Sequence, residues 1–220
     1  MKKKALFNWS SGKDSAFALY KTLQNSEFEI ICLLTSVNQQ FQRVSMHGVR
    51  IELLEQQAKS IGLPLEIMQI PEMPTMEVYE KVMQETLAKL KDRGVTHSIF
   101  GDIFLEDLRK YREDKLAEIG FDGVFPLWKI PTLDLIQEFM DLGFKTIVVC
   151  VNERFLDKSF VGRVIDQNFI NDLPENVDVC GENGEFHTLV INCPLFSEAI
   201  ELPKFVTKTY NDYCFIVWEE

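Results

Sequence analysis

What most constrains the fold is a change of rhythm along the first half of the chain. Short apolar runs of strand character alternate with longer stretches of helical period, the signature of β-α units stacked on a parallel sheet. Strand patterns cover 4–9, 29–36, 64–70, 95–101 and 122–126, with helical patterns near 13–24, 48–61, 75–92 and 105–119 between them. In 48–61 the residues Ile51, Leu54, Ala58 and Ile61 share one face, Gly62 stops the pattern, and Pro64 opens the next strand. Thr75 is the expected N-cap of the following helix and Gly94 its stop. After Trp128 the character changes: a helix near 132–142, a β-branched strand at 146–151, a helix near 161–171, a Gly- and Asn-rich turn, then β-rich segments at 186–193 and 213–219. This predicts an α/β main domain over 1–130 and a smaller α/β domain with a mixed sheet over 131–220. The boundary falls at 128–132, and the ligand cleft between the two parts.

Composition narrows the class. With 46% hydrophobic and 26% charged residues the 220-residue chain reads as globular and soluble, and no stretch approaches the ~18 apolar residues of a membrane helix. Met1-Lys2-Lys3-Lys4 resembles a secretory start, but the short apolar run after it is too brief for a signal core, so the expected location is cytoplasmic. Five scattered cysteines, none in a Cys-x-x-Cys pair, suggest neither a zinc site nor a disulfide framework. Cys32 and Cys150 sit in apolar runs and read as buried hydrophobes. A net charge of −11 argues against a broad nucleic-acid surface, leaving only a local basic patch at Arg109, Lys110 and Arg112. A homo-oligomer stays open.

The first strand runs through Phe7-Asn8-Trp9 into Ser10-Ser11-Gly12-Lys13-Asp14-Ser15 and then a helix. Small residues let backbone N–H groups curl around phosphate oxygens, a helix N-terminus adds positive potential, and Lys13 adds a full charge. The spacing is shorter than a Walker A loop, and Asp14 rather than Ser or Thr follows the Lys. The plain alternative is a helix capped by Ser10 or Ser11.

Four further clusters carry chemistry. Ser45-Met46-His47-Gly48 puts a His at a strand-to-helix junction, where it meets a phosphate or substrate or is simply a cap. Phe100-Gly101-Asp102-Ile103 ends the fourth strand, at the edge where open α/β sheets bind ligands. There Gly101 would admit a nucleotide to the backbone and Asp102 would hold magnesium or a hydroxyl, or else cap a helix. The run Glu106 to Asp114 is either a solvated helix face laced by ion pairs or the bearer of Arg112, whose guanidinium fork suits phosphate and carboxylate. Last, Cys180-Gly181-Glu182-Asn183-Gly184-Glu185-Phe186-His187-Thr188 packs acids, an Asn, a His and a Thr around two glycines. Asn183-Gly184 alone reads as a hairpin tip. Glu182, Glu185 and His187 are candidates for general base, metal ligand or substrate clamp, with Glu185 and His187 on one face of a strand.

Taken together, these motifs bring a family into view. Ser10 to Ser15 resembles the Ser-Gly-Gly-Lys-Asp-Ser loop of the N-type PP-loop ATP pyrophosphatases, with Ser11 where the family usually has Gly. Gly101-Asp102-Ile103, the Asp107 to Arg112 helix, Pro126-Leu127-Trp128, the 180–188 cluster and Cys193-Pro194-Leu195-Phe196 resemble the diphthine–ammonia ligase family, in its bacterial-type branch. That resemblance implies a Rossmann-like, adenine nucleotide α-hydrolase-like sheet with helices on both faces. It implies ATP and Mg2+ as cofactors, and cleavage of ATP to AMP and pyrophosphate. A small-molecule or protein-borne carboxylate would be adenylated and amidated by ammonia. It also implies Ser10, Ser11, Gly12, Lys13, Asp14 and Ser15 at the phosphates, with His47, Gly101 and the metal candidate Asp102 nearby. Lys13, Glu182, Glu185 and His187 are the catalytic candidates, and Arg112, Asn183, Gly184 and Thr188 the substrate-binding ones. Ser11 must keep a negative φ or tolerate strain. His187 and Asn183 stand where the eukaryotic pattern has Glu and Gly, so the acceptor is expected to differ from diphthine. Rival readings are a tRNA-modifying PP-loop enzyme and a non-catalytic ATP or AMP sensor.

Overall fold

The computed structural model describes residues 2–40, 43, 44 and 48–219. The first part of the chain runs β1 (Lys3–Asn8), α1 (Lys13–Gln24), β2 (Phe28–Asn38), β3 (Arg43–Val44), α2 (Ile51–Ile61), β4 (Leu65–Ile70), α3 (Met76–Asp92), β5 (His97–Ile99), α4 (Glu106–Glu118) and β6 (Asp122–Val124). The remainder runs α5 (Thr132–Asp141), β7 (Lys145–Asn152), α6 (Gln167–Asp172), β8 (Phe186–Asn192), β9 (Phe205–Tyr210) and β10 (Tyr213–Trp218).

Five parallel strands lie in the order β4-β2-β1-β5-β6, the arrangement of a Rossmann-like sheet, and short β3 pairs antiparallel with the end of β2. Strand alternation sorts the side chains onto two faces. Ala5 and Phe7 join a core with α1 and α2, while Leu6 joins the opposite core with Leu87 and Leu90 of α3 and Leu116 of α4. Helices therefore cover both faces. The second sheet has the order β8-β7-β10-β9. The first core continues without a break into it, through Ile147, Val149, Leu189 and Trp218, with Leu135 and Phe139 of α5 filling between. Thr75 caps α3 by accepting from the Val78 N–H, and Gly62 ends α2 at φ 79°. All five cysteines are buried and free.

Several details differ from the sequence reading. The second sheet is antiparallel throughout rather than mixed. The helix expected at 161–171 shrinks to α6, because Gly162 turns at φ 85° and the chain then runs beside β7, where Arg163 O accepts from Val148 N. Asp166 starts α6 by accepting from the Phe169 N–H. Strand β9 is an addition; its six residues are all exposed, so no buried face marked it. Among the described residues no helix is long and apolar enough to cross a membrane.

Candidate active site

A cleft of about 1200 Å³ opens at the carboxyl ends of β1, β2 and β5, where the strand order reverses, and the loop before β8 forms its far wall. The strand ends beneath it are stitched together: Asn8 Nδ2 donates to Ser98 Oγ and Ile99 O, and Thr35 Oγ1 donates to Trp9 O at 2.7 Å.

Of the phosphate-loop candidates, Ser10, Lys13, Asp14 and Ser15 line the cleft, whereas Ser11 and Gly12 lie behind them. The capping alternative is corrected: Gly12 is the N-cap and offers no side chain, and Ser10 Oγ instead donates to Ser15 Oγ. Ser15 Oγ in turn donates to Gly12 O at 2.9 Å. Ser11 takes φ 72°, the left-handed region that costs an L-residue about 1–2 kcal/mol, so the strained alternative holds. Its hydroxyl is fully buried without a hydrogen-bond partner among the described residues, and its carbonyl accepts from Val190 N at 3.0 Å and Gln57 Nε2 at 3.2 Å.

Lys13 is buried, with its ammonium 2.7 Å from both carboxylate oxygens of Asp14 and 5.8 Å from the Phe186 ring centre. Burial opposes its charge, but the neighbouring carboxylates, Asp14 first among them, outweigh this and raise its pKa, so it stays cationic. The Lys13 backbone N–H donates to Thr188 Oγ1 at 3.0 Å, tying the start of α1 to β8.

Gly101 lines the cleft, and its missing side chain also admits the first turn of α1: a Cβ there would lie 2.9 Å from the Asp14 carbonyl. Asp102 and Arg112 face the cleft as a pair, with Nη2 to Oδ1 at 3.4 Å; the 3.0 Å approach of Nε to Oδ2 is an ionic contact without hydrogen-bond alignment. Burial raises the Asp102 pKa, opposed by the Arg112 charge. Arg112 also lies 4.3 Å over Phe100, which stacks on Phe125, and Arg109 sits between Phe125 and Trp128. The ion-paired helix face is there, with Arg109–Glu113 and Lys110–Asp114 as i,i+4 pairs, and Arg112 faces the cleft paired with Asp102.

The wall at 178–185 is not a hairpin. Gly184 does turn at φ 82°, but β8 pairs with β7, and irregular chain precedes the turn. Two acids brace this wall. Asp178 accepts from the amides of Cys180 and Glu182 and from Thr132 Oγ1, and Glu185 accepts from the amides of Asp178 and Asn183 and from Asn183 Nδ2. Glu185 is 1% exposed and precedes β8. Burial works to raise its pKa, and those donors hold it lower than usual. Glu182, Asn183, Gly184, His187 and Thr188 line the cleft, and Glu185 does not. Burial, the Asp14 charge and lesser neighbours push the Glu182 carboxyl up to about 8 despite Lys13. Burial and then Lys13 lower the His187 pKa, so its ring is neutral at neutral pH. His47 lies outside the described residues. Sequence reasoning missed Gln57, Trp9 and Asp178; the one signal was an amide, Gln57, on the apolar face of α2. No group of three or more His, Cys, Asp or Glu with metal-ligating geometry occurs among the described residues.

A Rossmann-like sheet with a short serine-rich loop ahead of its first helix, and a cleft walled by a second sheet, defines the PP-loop class of α/β fold. Within it, the diphthamide synthase N-terminal domain matches residues 1–122 and the diphthamide synthase C-terminal domain matches 131–218. The chain belongs to the diphthamide synthase family. It is 25% identical over 175 residues to diphthine–ammonia ligase of Homo sapiens, covering 73% of this chain and 64% of that protein. It is 27% identical over 124 residues to diphthine–ammonia ligase of Bos taurus, covering 54% and 46%. The chain thus spans about half to two thirds of these relatives. The U34-tRNA thiolase NcsA of Methanococcus maripaludis aligns with 64% of this chain and 57% of its own at 18% identity, with a TM-score of 0.40.

Proposed function

We propose that this chain is an ATP-dependent ligase that cleaves ATP to AMP and pyrophosphate, adenylating a carboxylate and amidating it with ammonia. The observation that carries this reading is the meeting, across one cleft, of an anion-cradling loop with a buried Lys and a carboxyl of raised pKa on the opposite wall. The names of the relatives point to the same reaction. The cleft is large enough for a nucleotide. In this reading the first-turn amides of Asp14 and Ser15, with Ser10, Ser15 and Lys13, hold the phosphates. The acceptor carboxylate oxygen attacks the α-phosphorus, and Lys13 neutralises the charge that grows on the departing pyrophosphate. Glu182 in its ionised form takes a proton from the ammonium or attacking amine, the new C–N bond forms, and AMP leaves with the carboxylate oxygen.

Magnesium would be held mainly by phosphate oxygens, with Asp102, which faces the cleft, as its candidate protein carboxylate, and would supply further charge neutralisation. Asn183, His187 and Arg112 face the acceptor, whose identity is expected to differ from diphthine. A nucleotide-binding part over 1–130, an acceptor part over 131–220 and a cytoplasmic location belong to the same proposal. The test is a screen of carboxylate pools with ATP, Mg2+ and ammonium, read as AMP and pyrophosphate. Lys13→Ala should lower release by about 10³-fold, the scale of losing a preorganised charge at a developing anion. Release at the normal rate from that variant would remove the loop assignment, and nucleotide binding without turnover on any pool would favour a sensor.

A further inference from the structure

We infer that Gln57 is the positioning residue that sets the shape of the phosphate loop, and that it does so by joining the loop to strand β8. The inference rests on reading that loop as the ATP site. Gln57 projects from α2 into the first core and is 0% exposed. Its carbonyl oxygen accepts from the Trp9 indole Nε1 at 2.9 Å, and its amide nitrogen donates to Ser11 O at 3.2 Å and to Val190 O at 2.7 Å. One acceptor and two donors are all used, each on a different segment: the end of β1, the loop and β8. The orientation is fixed by chemistry, because an indole N–H needs an acceptor and two carbonyls need donors.

The third partner explains the loop. Ser11 holds φ 72°, and a non-glycine residue persists there only where its surroundings over-determine it. Its carbonyl is turned toward the core, where Val190 N and Gln57 Nε2 both donate to it. That turn sets the direction in which the chain enters Gly12 and α1, and so where the Lys13, Asp14 and Ser15 groups lie in the cleft. Gln57 does not itself line the cleft, although its partner Trp9 does. It acts on the phosphate site through Ser11.

ATP binding by calorimetry, with no acceptor required, tests this together with the unfolding midpoint of each ligand-free variant. Gln57→Met keeps volume and removes all three bonds; it should weaken ATP binding about tenfold, the scale of one or two lost hydrogen bonds. Adding Ser11→Gly to Gln57→Met should recover most of that affinity, because glycine adopts the left-handed conformation without support. A merely structural loss would not be repaired by a change in the loop. Normal affinity in Gln57→Met, or no recovery in the folded double variant, overturns the inference. Should Gln57→Met not fold, Gln57→Glu carries the test: it keeps the acceptor that Trp9 Nε1 uses and withdraws the amide donors from Ser11 O and Val190 O, should weaken ATP about tenfold, and unchanged affinity would overturn the inference. A wild-type chain that binds no ATP would instead remove the reading of the loop itself.

Discussion

Residues 10–15 and 178–185 face the same cleft, yet the backbone of the first is held chiefly by other elements and that of the second chiefly by its own side chains. In the serine-rich loop, the carbonyl of Ser11 and the amide of Lys13 are gripped by Gln57, Val190 and Thr188, which belong to α2 and β8. In the opposite wall, Asp178 and Glu185 turn their carboxylates onto that loop's own amides. An externally held loop keeps one geometry as long as its neighbours stay docked. The opposite wall adds one outside tie, from Thr132 to Asp178, to its own bonds, and its acids divide into those that brace and one, Glu182, that faces the cleft. The family-implied catalytic set of two acids and a His is thereby split.

The largest effect that would sharpen this division is at Glu182. As general base, Glu182→Gln should lower product formation by about 10²-fold or more while sparing ATP affinity. The wild-type rate should climb as pH passes about 8, where Glu182 ionises, and the variant should lose that limb. Because the folded pKa lies above the unfolded one, wild-type stability falls as pH rises between about 4.5 and 8, so at pH 9 the variant should melt higher than wild type. A pH-rate profile unchanged by the substitution would place the base elsewhere.

Glu185→Gln comes next. It removes the charge that three N–H donors converge on and should cost about 1–3 kcal/mol in denaturant unfolding, with product formation falling more than ATP binding. This Glu has a depressed pKa, so its contribution is complete above the unfolded value and fades as pH falls through the lower folded one. If stability did not change, the wall would not be self-braced. The smallest effect belongs to Ser11→Gly, which relieves the left-handed strain and removes a buried orphan hydroxyl, offset by the freer unfolded chain; a gain of up to about 1 kcal/mol in urea unfolding is expected.

The parallel sheet was legible because its central strands β1, β2 and β5 are largely buried and its helices carry caps such as Thr75 and Gly62. The exposed strand β9 and the shortened α6 were not, since one lacks an apolar face and the other depends on a turn at Gly162. The cleft-facing residues Lys13, Asp102 and Glu182 were legible as chemistry beside small residues. What was hidden is the support behind them. Gln57 acts through partners 46 and 133 residues away, and Gly101 accommodates a helix that local sequence does not place beside it.

The Val190–Ser11 hydrogen bond gives the growing chain an order of events. During synthesis the five parallel strands and their helices can assemble before the second sheet is made, as earlier segments generally do. The serine-rich turn, though made before β8, does not reach its final geometry until that strand has left the ribosome and docked. A ligand that uses this turn is then captured late, and a nascent chain still lacking β8 would hold a sheet without a finished loop.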